Sequence, residues 1–203
     1  MLVDAGAPGS GGRLLAALRG LGVEPRRLSL VLVTHGHLDH FGGLPELLPE
    51  IRCPVAVHAR DAEWLRAGRN GPAVPVGPVM RFLMALAPRA GSQAAQAVEP
   101  GLVIKGPLDL KPYGVEGRAE LTPGHTQGSL SVLLRGGETI VGDLLRGSII
   151  SRGRPRWPFV AEDLAEVRRS IARVLDQKPR LLWTSHGGPL APDDVRAFLR
   201  SRR

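Results

Sequence analysis

Three histidines and an aspartate crowd six consecutive positions early in the chain: His35, His37, Asp39 and His40. They follow an apolar, β-branched run, residues 28–33, which predicts a strand buried on both faces. Side chains two residues apart in extended backbone point the same way, so His35 and His37 can converge on one ion. Burying such polar groups costs free energy unless they are paired or bound to metal. The cluster therefore predicts a metal site at the end of a buried strand.

The pattern His-x-His-x-Asp-His after a hydrophobic strand resembles the signature of the metallo-β-lactamase-fold hydrolases. This group includes glyoxalase II-like thioesterases, lactonases and some nucleases. Further short motifs extend the resemblance along nearly the whole chain, in the family's order. They are the early strand that ends in Asp-x-Gly (residues 2–6), the second histidine motif (residues 122–129), the aspartate motif (residues 141–143) and the last histidine motif (residues 184–187).

The resemblance implies two divalent metal ions, with zinc favoured and iron or manganese also accepted by imidazole and carboxylate ligands. Asp39 is the candidate catalytic residue, which would orient a hydroxide or take its proton. His58 matches no metal motif and is assigned a structural role. Seven residues match the family's ligands: His35, His37 and His125 for the first ion, Asp39, His40 and His186 for the second, and Asp143 as the bridge between the two.

The implied activity is metal-dependent hydrolysis of a thioester, a lactone or a related ester-like bond of a small molecule. A phosphodiesterase or nuclease of the same fold is one alternative, although the stretch between Asp143 and His186 is too short for the large insert that some nuclease relatives carry. A mononuclear iron persulfide dioxygenase is another, and it would need only the first set of ligands. A non-catalytic binding module is the third, and the full ligand set argues against it.

Alternating strand and helix patterns, together with the resemblance, predict an α/β (α+β) fold. We expect the four-layer αββα metallo-β-lactamase sandwich, with two mixed sheets face to face and helices outside. Residues 1–203 are expected to form a single domain, with a variable helical and proline-rich insert at about residues 68–100. The fold is expected to be N-terminally short, since the chain begins at the Asp-x-Gly strand. Either the start is truncated, or an exposed sheet edge must be covered.

The insert contains residues 79–86, which predict a helix that is apolar nearly all round. Methionine-rich apolar faces adapt to varied ligands, so this helix is a candidate wall of the substrate pocket. The alternatives are a core helix or the contact of a homodimer. Its candidate substrate-binding residues are Met80, Phe82, Leu83 and Met84.

The composition is that of an ordinary globular protein, with 43% hydrophobic and 23% charged residues. No apolar run has the length of a membrane span, and the single cysteine, Cys53, excludes an internal disulfide, so a cytoplasmic location is predicted. The net charge of +8 suggests an anionic partner. Because the arginines are spread along the whole chain, attraction of anionic small substrates is favoured over nucleic-acid binding.

Overall fold

A computed structural model describes residues 1–86, 94–148, 151 and 153–201. Its first sheet has four strands, all parallel, in the order β1-β2-β3-β4. The prediction that both sheets are mixed is wrong for this one, because each of its described strand pairs is parallel. The strands are short: β1 (Leu2–Val3), β2 (Val31–Leu32), β3 (Val55–His58) and β4 (Leu102–Ile104).

Among the described residues, seven further strands follow: β5 (Leu108–Asp109), β6 (Gly117–Leu121), β7 (Leu130–Leu134), β8 (Glu138–Ile140), β9 (Arg146–Gly147), β10 (Pro155–Arg156) and β11 (Leu181–Trp183). Five of them form the second sheet, in the order β11-β8-β7-β6-β5. This sheet is mixed, because β11 runs parallel to β8 while the other neighbours are antiparallel. Strands β9 and β10 pair with each other as a separate antiparallel ribbon.

The helices lie outside the two sheets. They are α1 (Gly11–Gly20), α2 (Leu38–Phe41), α3 (Leu44–Leu47), α4 (Ala62–Ala67), α5 (Gly77–Leu86), α6 (Leu164–Asp176) and α7 (Pro192–Ser201). Short 3-10 turns occur at Pro25–Arg27, Leu48–Glu50 and Lys111–Tyr113. Among the described residues, none of these helices has the length and apolar character that a membrane crossing requires.

The four predicted layers are confirmed by three hydrophobic clusters. Successive residues of a strand face opposite sides, so Val31 packs with the helices on the outer face of the first sheet. Leu30 and Leu32 face the other way and pack against Val132 of the second sheet. The outer face of the second sheet buries Leu182 among residues of α6 and α7. Helix, sheet, sheet and helix therefore stack in that order.

The hydrophobic pattern of the sequence predicts the position of helix α6 to within a few residues. A helix over residues 161–175 is predicted by its apolar periodicity, and the structure begins it at Leu164. The later start has a local cause, because the Asp163 side chain accepts a hydrogen bond from the Glu166 backbone N–H at 2.9 Å. This is an N-terminal cap, which satisfies one of the unpaired donors of the first turn.

Helix α5 lies in the predicted insert, and none of its residues is buried. Phe82 is 64% exposed, and Val79, Leu83 and Leu86 are also exposed. The helix is therefore not part of the core, which removes one of the three roles considered for it. Residues 87–93 of the insert lie outside the described residues.

Candidate metal centre

The seven candidate ligands come from four loops that follow strands and meet at one edge of the sandwich. His35 and His37 follow β2, and His125 lies in the loop between β6 and β7. Asp143 follows β8 and His186 follows β11. The structure brings all seven together in three overlapping groups, and within each group the ligand atoms lie within 4.8 Å of one another: His35, His37 and His125; His35, His40 and Asp143; Asp39, His40 and His186.

The neighbouring candidate ligands Asp39 and His40 lie on the single turn of α2 and differ in burial. Leu38 and Phe41 are buried and anchor the turn in the core. His40 is therefore held inside with a buried ring, while the side chain of Asp39 stays 49% exposed. The Leu38 backbone N–H donates to Asn70 Oδ1 at 2.7 Å, which fixes where the turn begins.

Three imidazole nitrogens converge in the first cluster. His125 Nε2 lies 3.0 Å from His35 Nε2 and 3.1 Å from His37 Nδ1. The opposite nitrogens face carbonyl oxygens, with His125 Nδ1 2.8 Å from Val160 O and His37 Nε2 3.1 Å from Pro72 O. A carbonyl can only accept, so these outer nitrogens carry the protons and the inner ones present lone pairs. Lone pairs at such distances repel one another unless a cation lies between them.

The Asp4 carboxylate fixes the ring orientation of His40 directly and that of His35 through Thr34. It accepts hydrogen bonds from the Thr34 backbone N–H at 2.7 Å and from the Thr34 hydroxyl at 2.9 Å. His40 Nδ1 donates to the same carboxylate at 2.7 Å, which turns His40 Nε2 toward the ligand cluster. Because the Thr34 hydroxyl proton is used on Asp4, Thr34 Oγ1 accepts from His35 Nδ1 at 3.0 Å. Such outer partners set the tautomer of metal-binding histidines.

The second cluster contains two orphaned polar atoms. His40 Nε2 and Asp143 Oδ1 are buried and lie 3.5 Å apart, and neither has a hydrogen-bond partner among the described residues. His186 Nε2 lies 3.4 Å from Asp143 Oδ2 and 3.5 Å from Asp39 Oδ2. Asp143 Oδ2 is also 3.8 Å from His125 Nε2 of the first cluster. The donor set fits a second divalent cation, and Asp143 lies between the two clusters.

The two clusters differ in charge. Burial lowers the pKa of His125 to about 4 and holds the pKa of His35 well below its usual value. Burial also disfavours the charged form of His40, but the carboxylates of Asp4, Asp143 and Asp39 outweigh it and raise its pKa to about 9. Contacts with Asp143 and Asp39 raise the pKa of His186 to about 10. The first cluster is therefore neutral at physiological pH, whereas the second pairs imidazolium with carboxylate.

Sequence reasoning missed Asp61, because its position before a helical stretch indicates only a helix start. The residue is 1% exposed, and its carboxylate accepts three hydrogen bonds. The donors are Gly36 N–H at 2.7 Å, the Thr126 hydroxyl at 2.6 Å and Gly128 N–H at 2.9 Å. Asp61 thus ties the loop of His35 to the loop of His125. A Cβ at Gly128 would lie 2.3 Å from Asp61 Oδ1, so only glycine fits there.

His58 lies outside the ligand groups. Its ring is buried at the end of β3, and its Nδ1 accepts the Arg60 backbone N–H at 3.2 Å. This local hydrogen bond agrees with the structural role expected for it.

A cavity of about 910 Å³ opens beside the second cluster. Asp39, His40 and His186 form part of its wall, and Arg13 is a charged residue on the same wall. None of the candidate substrate-binding residues of α5 lines it. The remaining wall is largely apolar and includes Leu2, Val3, Leu14, Leu134, Ile140 and Trp183.

Comparisons with known proteins identify the family. The model of the metallo-β-lactamase superfamily matches residues 1–188. A probable metallo-hydrolase of Bacillus subtilis, YflN, is 27% identical over 98% of this chain and 79% of its own length. The human metallo-β-lactamase domain-containing protein 1 is 34% identical over 86% of this chain. An atrochrysone carboxyl ACP thioesterase of Aspergillus fumigatus is 27% identical over 79% of the chain and 39% of its own length. The chain spans 46%, 48% and 53% of three of the curated relatives that it matches, the human protein being the last.

Solved structures share the fold. The BLEG-1 B3 metallo-β-lactamase superposes with a TM-score of 0.68 and 21% identity, over 97% of this chain and 87% of its own. TTHA1623 in a di-iron-bound form superposes with a TM-score of 0.64 and 24% identity, over 96% and 85%. With a family match over most of the sequence and the four-layer fold, the chain belongs to the metallo-β-lactamase superfamily of metal-dependent hydrolases.

Proposed function

We propose that this chain binds two divalent metal ions and hydrolyses a thioester, lactone or related ester-like bond of a small molecule. The observation that carries the proposal is the second cluster, where His40 Nε2 and Asp143 Oδ1 are buried with no hydrogen-bond partner in the part of the chain that the structure describes. A divalent cation would satisfy both atoms at once, by taking the lone pair of a neutral His40 ring and balancing the charge of the carboxylate. Zinc is favoured by the donor set, and the di-iron form of a structural neighbour keeps iron as the alternative.

Each ligand then has a proposed place. His35, His37 and His125 hold the first ion, Asp39, His40 and His186 hold the second, and Asp143 contacts both. When bound, the ions polarise the carbonyl of the substrate and lower the pKa of water so that hydroxide forms at neutral pH.

Asp39 is the proposed catalytic residue. Its side chain is half exposed, as is that of His186, so the second cluster is the part of the site that faces solvent and substrate. Burial works against the charged form of Asp39, but its contact with His186 lowers its pKa overall. The Asp39 carboxylate is therefore ionised at neutral pH and can accept a proton from the attacking water.

The choice among substrates is supported in two ways. A matched relative is named a thioesterase, which favours an acyl thioester over a phosphodiester. The complete second set, Asp39, His40 and His186, would have no purpose in a mononuclear persulfide dioxygenase. The single domain, the cytoplasmic location and the homodimer all stay predictions.

The test combines metal analysis with a substrate panel. Purified protein, loaded with zinc, iron or manganese, is assayed against thioesters, lactones and phosphodiesters of similar size. We expect two ions per chain and turnover of a thioester or a lactone, with loss of both the second ion and turnover in His186→Ala. One iron per chain, with oxygen consumption on a persulfide, would instead establish the dioxygenase. Turnover of phosphodiesters alone would establish the nuclease alternative.

A further inference from the structure

The insert begins with a segment that lies against the loop of His35. We call this segment the strap, and it comprises residues 70–76. The partly buried Asn70 accepts the Leu38 backbone N–H through its side-chain Oδ1 at 2.7 Å. The next residue of the strap donates its backbone N–H to the Gly36 carbonyl at 2.8 Å. The strap is therefore bonded to the residues on both sides of one candidate ligand.

His37 is the candidate ligand between these two contacts. Its Nδ1 lies 3.1 Å from His125 Nε2 in the first cluster, and its Nε2 donates to the Pro72 carbonyl at 3.1 Å. Pro72 follows Asn70 and Gly71, so the position of its carbonyl depends on the contacts that these two residues make. The strap thus sets the orientation and the tautomer of the His37 ring.

The other half of the strap lies against the residues that precede α6. Pro75 and Val160 form an antiparallel bridge. Two backbone hydrogen bonds flank this bridge, from the Val76 N–H to the Phe159 carbonyl at 2.9 Å and from the Ala161 N–H to the Val74 carbonyl at 2.8 Å. The Val160 carbonyl itself accepts from His125 Nδ1 at 2.8 Å. The same strap therefore supports the outer ring nitrogens of His37 and His125, the second through Val160.

We propose that Asn70 is a positioning residue for the first metal ion, because its side chain anchors the strap to the loop of His35. Gly71 and Pro72 contact that loop through backbone atoms, so Asn70 makes the contact that a substitution can remove. The inference rests on the first ion of the proposed function and is independent of the substrate. Loss of an outer partner of a metal-binding histidine typically lowers the metal affinity about 10–100-fold.

Zinc titration measures the contribution of Asn70. It is carried out in the His186→Ala background, in which the first ion is the one expected to bind. Asn70→Leu keeps the approximate size of the side chain and removes the acceptor, so the affinity for zinc should fall about tenfold or more. Asn70→Asp keeps an oxygen acceptor. It should retain the parent affinity or exceed it, since an added negative charge favours a bound cation.

Gln177→Leu is the matched control in the same background. The Gln177 amide accepts one side-chain hydrogen bond, from Arg118 at 3.0 Å, at the C-terminal end of α6. Its loss should leave the affinity for zinc unchanged. Equal affinities in Asn70→Leu and Gln177→Leu would overturn the proposal, and so would a loss in Asn70→Asp as large as that in Asn70→Leu.

Substitutions of Val76 test the far half of the strap. Val76→Pro removes the N–H that donates to Phe159, whereas Val76→Ala keeps that N–H and shortens the side chain. If the strap supports His125, Val76→Pro should bind zinc several-fold more weakly than Val76→Ala. Equal affinities of the two variants would overturn the assignment of His125 to the strap.

The tautomer of His37 gives a readout that needs no bound metal. In nitrogen-15-labelled protein treated with a chelator, the NMR spectrum shows which ring nitrogen carries the proton. The parent protein and Asn70→Asp should carry the His37 proton at Nε2, whereas Asn70→Leu should show a mixture of both tautomers. An unchanged tautomer in Asn70→Leu, with a lower unfolding temperature, would show a purely structural role and overturn the proposal. Because this readout is taken without zinc, a failure of the ions to bind would not be mistaken for a failure of the strap.

Discussion

Substitutions of Asp61 test how the loop of His35 and the loop of His125 are held together. The Asp61 carboxylate accepts from Gly36, Thr126 and Gly128, and no other described side chain bridges the same two loops through three hydrogen bonds. Asp61→Ala removes both carboxylate oxygens and so breaks all three hydrogen bonds. The Thr126 hydroxyl can turn to Ser129 Oγ, which lies 2.9 Å away. The two backbone N–H groups have no such alternative.

The expected loss in the free energy of unfolding follows from the number of donors that stay unpaired. Each orphaned, buried N–H costs about 1–3 kcal/mol, so Asp61→Ala should lower the free energy of unfolding by about 2–6 kcal/mol. Asp61→Asn can keep its oxygen at the Oδ2 position, where it still accepts from Gly36 and Thr126. Its amide nitrogen then faces the Gly128 N–H, so one donor is lost, at about 1–3 kcal/mol. Domains of this kind have about 5–15 kcal/mol in total, so the alanine variant is close to unfolding.

Urea unfolding of the chelator-treated protein gives these free energies, and zinc titration gives the affinity of the first cluster. We expect that affinity to fall about tenfold or more in Asp61→Asn, because the spacing of the two loops is no longer fixed. Asp109→Asn is the matched control, since Asp109 is exposed and accepts one N–H, from Lys111. A cost for Asp61→Ala no larger than that of the control would refute the reasoning.

Three further predictions concern the metal ligands and the insert. Asp4→Asn should weaken the second ion about 10–100-fold and the first ion less, because Asp4 contacts His40 directly and His35 only through Thr34; equal loss of both ions in a metal count would contradict this. Lowering the pH should release the second ion first, because protons compete with metal for His40 and His186, whose pKa values are about 9 and 10. The pKa of His125 is about 4, so protons compete for this first-ion ligand only at lower pH. The amount of bound metal as a function of pH measures this, and simultaneous release of both ions would be evidence against it. If α5 forms a wall of the substrate pocket, Phe82→Asp should raise KM several-fold without changing kcat. An unchanged KM, together with half the molecular mass of the parent protein in solution, would assign α5 to a dimer contact.

The regular elements that carry a strong hydrophobic pattern were predictable. The pattern predicts strands at residues 102–104 and 130–134, which are the bounds of β4 and β7, while α6 begins three residues later than predicted, at its cap, and ends one residue later. The ribbon β9–β10 was not foreseen, because its arginines, glycine and proline show no alternation of apolar and polar residues. Its pairing depends on the path of the chain between Asp143 and α6, which no local pattern encodes.

The seven candidate ligands were predictable because the motifs specify residue type and spacing. The groups that set their tautomers were not. Pro72 and Val160 act through backbone carbonyls, which every residue possesses, so the sequence gives no sign of them. In the sequence, Asp61 is only a residue that precedes a helix, and its contacts with Gly36 and Gly128 arise from the tertiary structure. Outer contacts of this kind depend on tertiary structure, and only coordinates reveal them.

The number and position of the bound ions test the proposed dinuclear site most directly. Diffraction data collected at the zinc absorption edge, from crystals of zinc-loaded protein, locate each ion and its ligands. We predict two ions per chain, one among His35, His37 and His125 and one among Asp39, His40 and His186, with Asp143 between them. His186→Ala should retain only the first ion and lose activity. A fully active protein with a single ion in the first cluster would contradict the proposal.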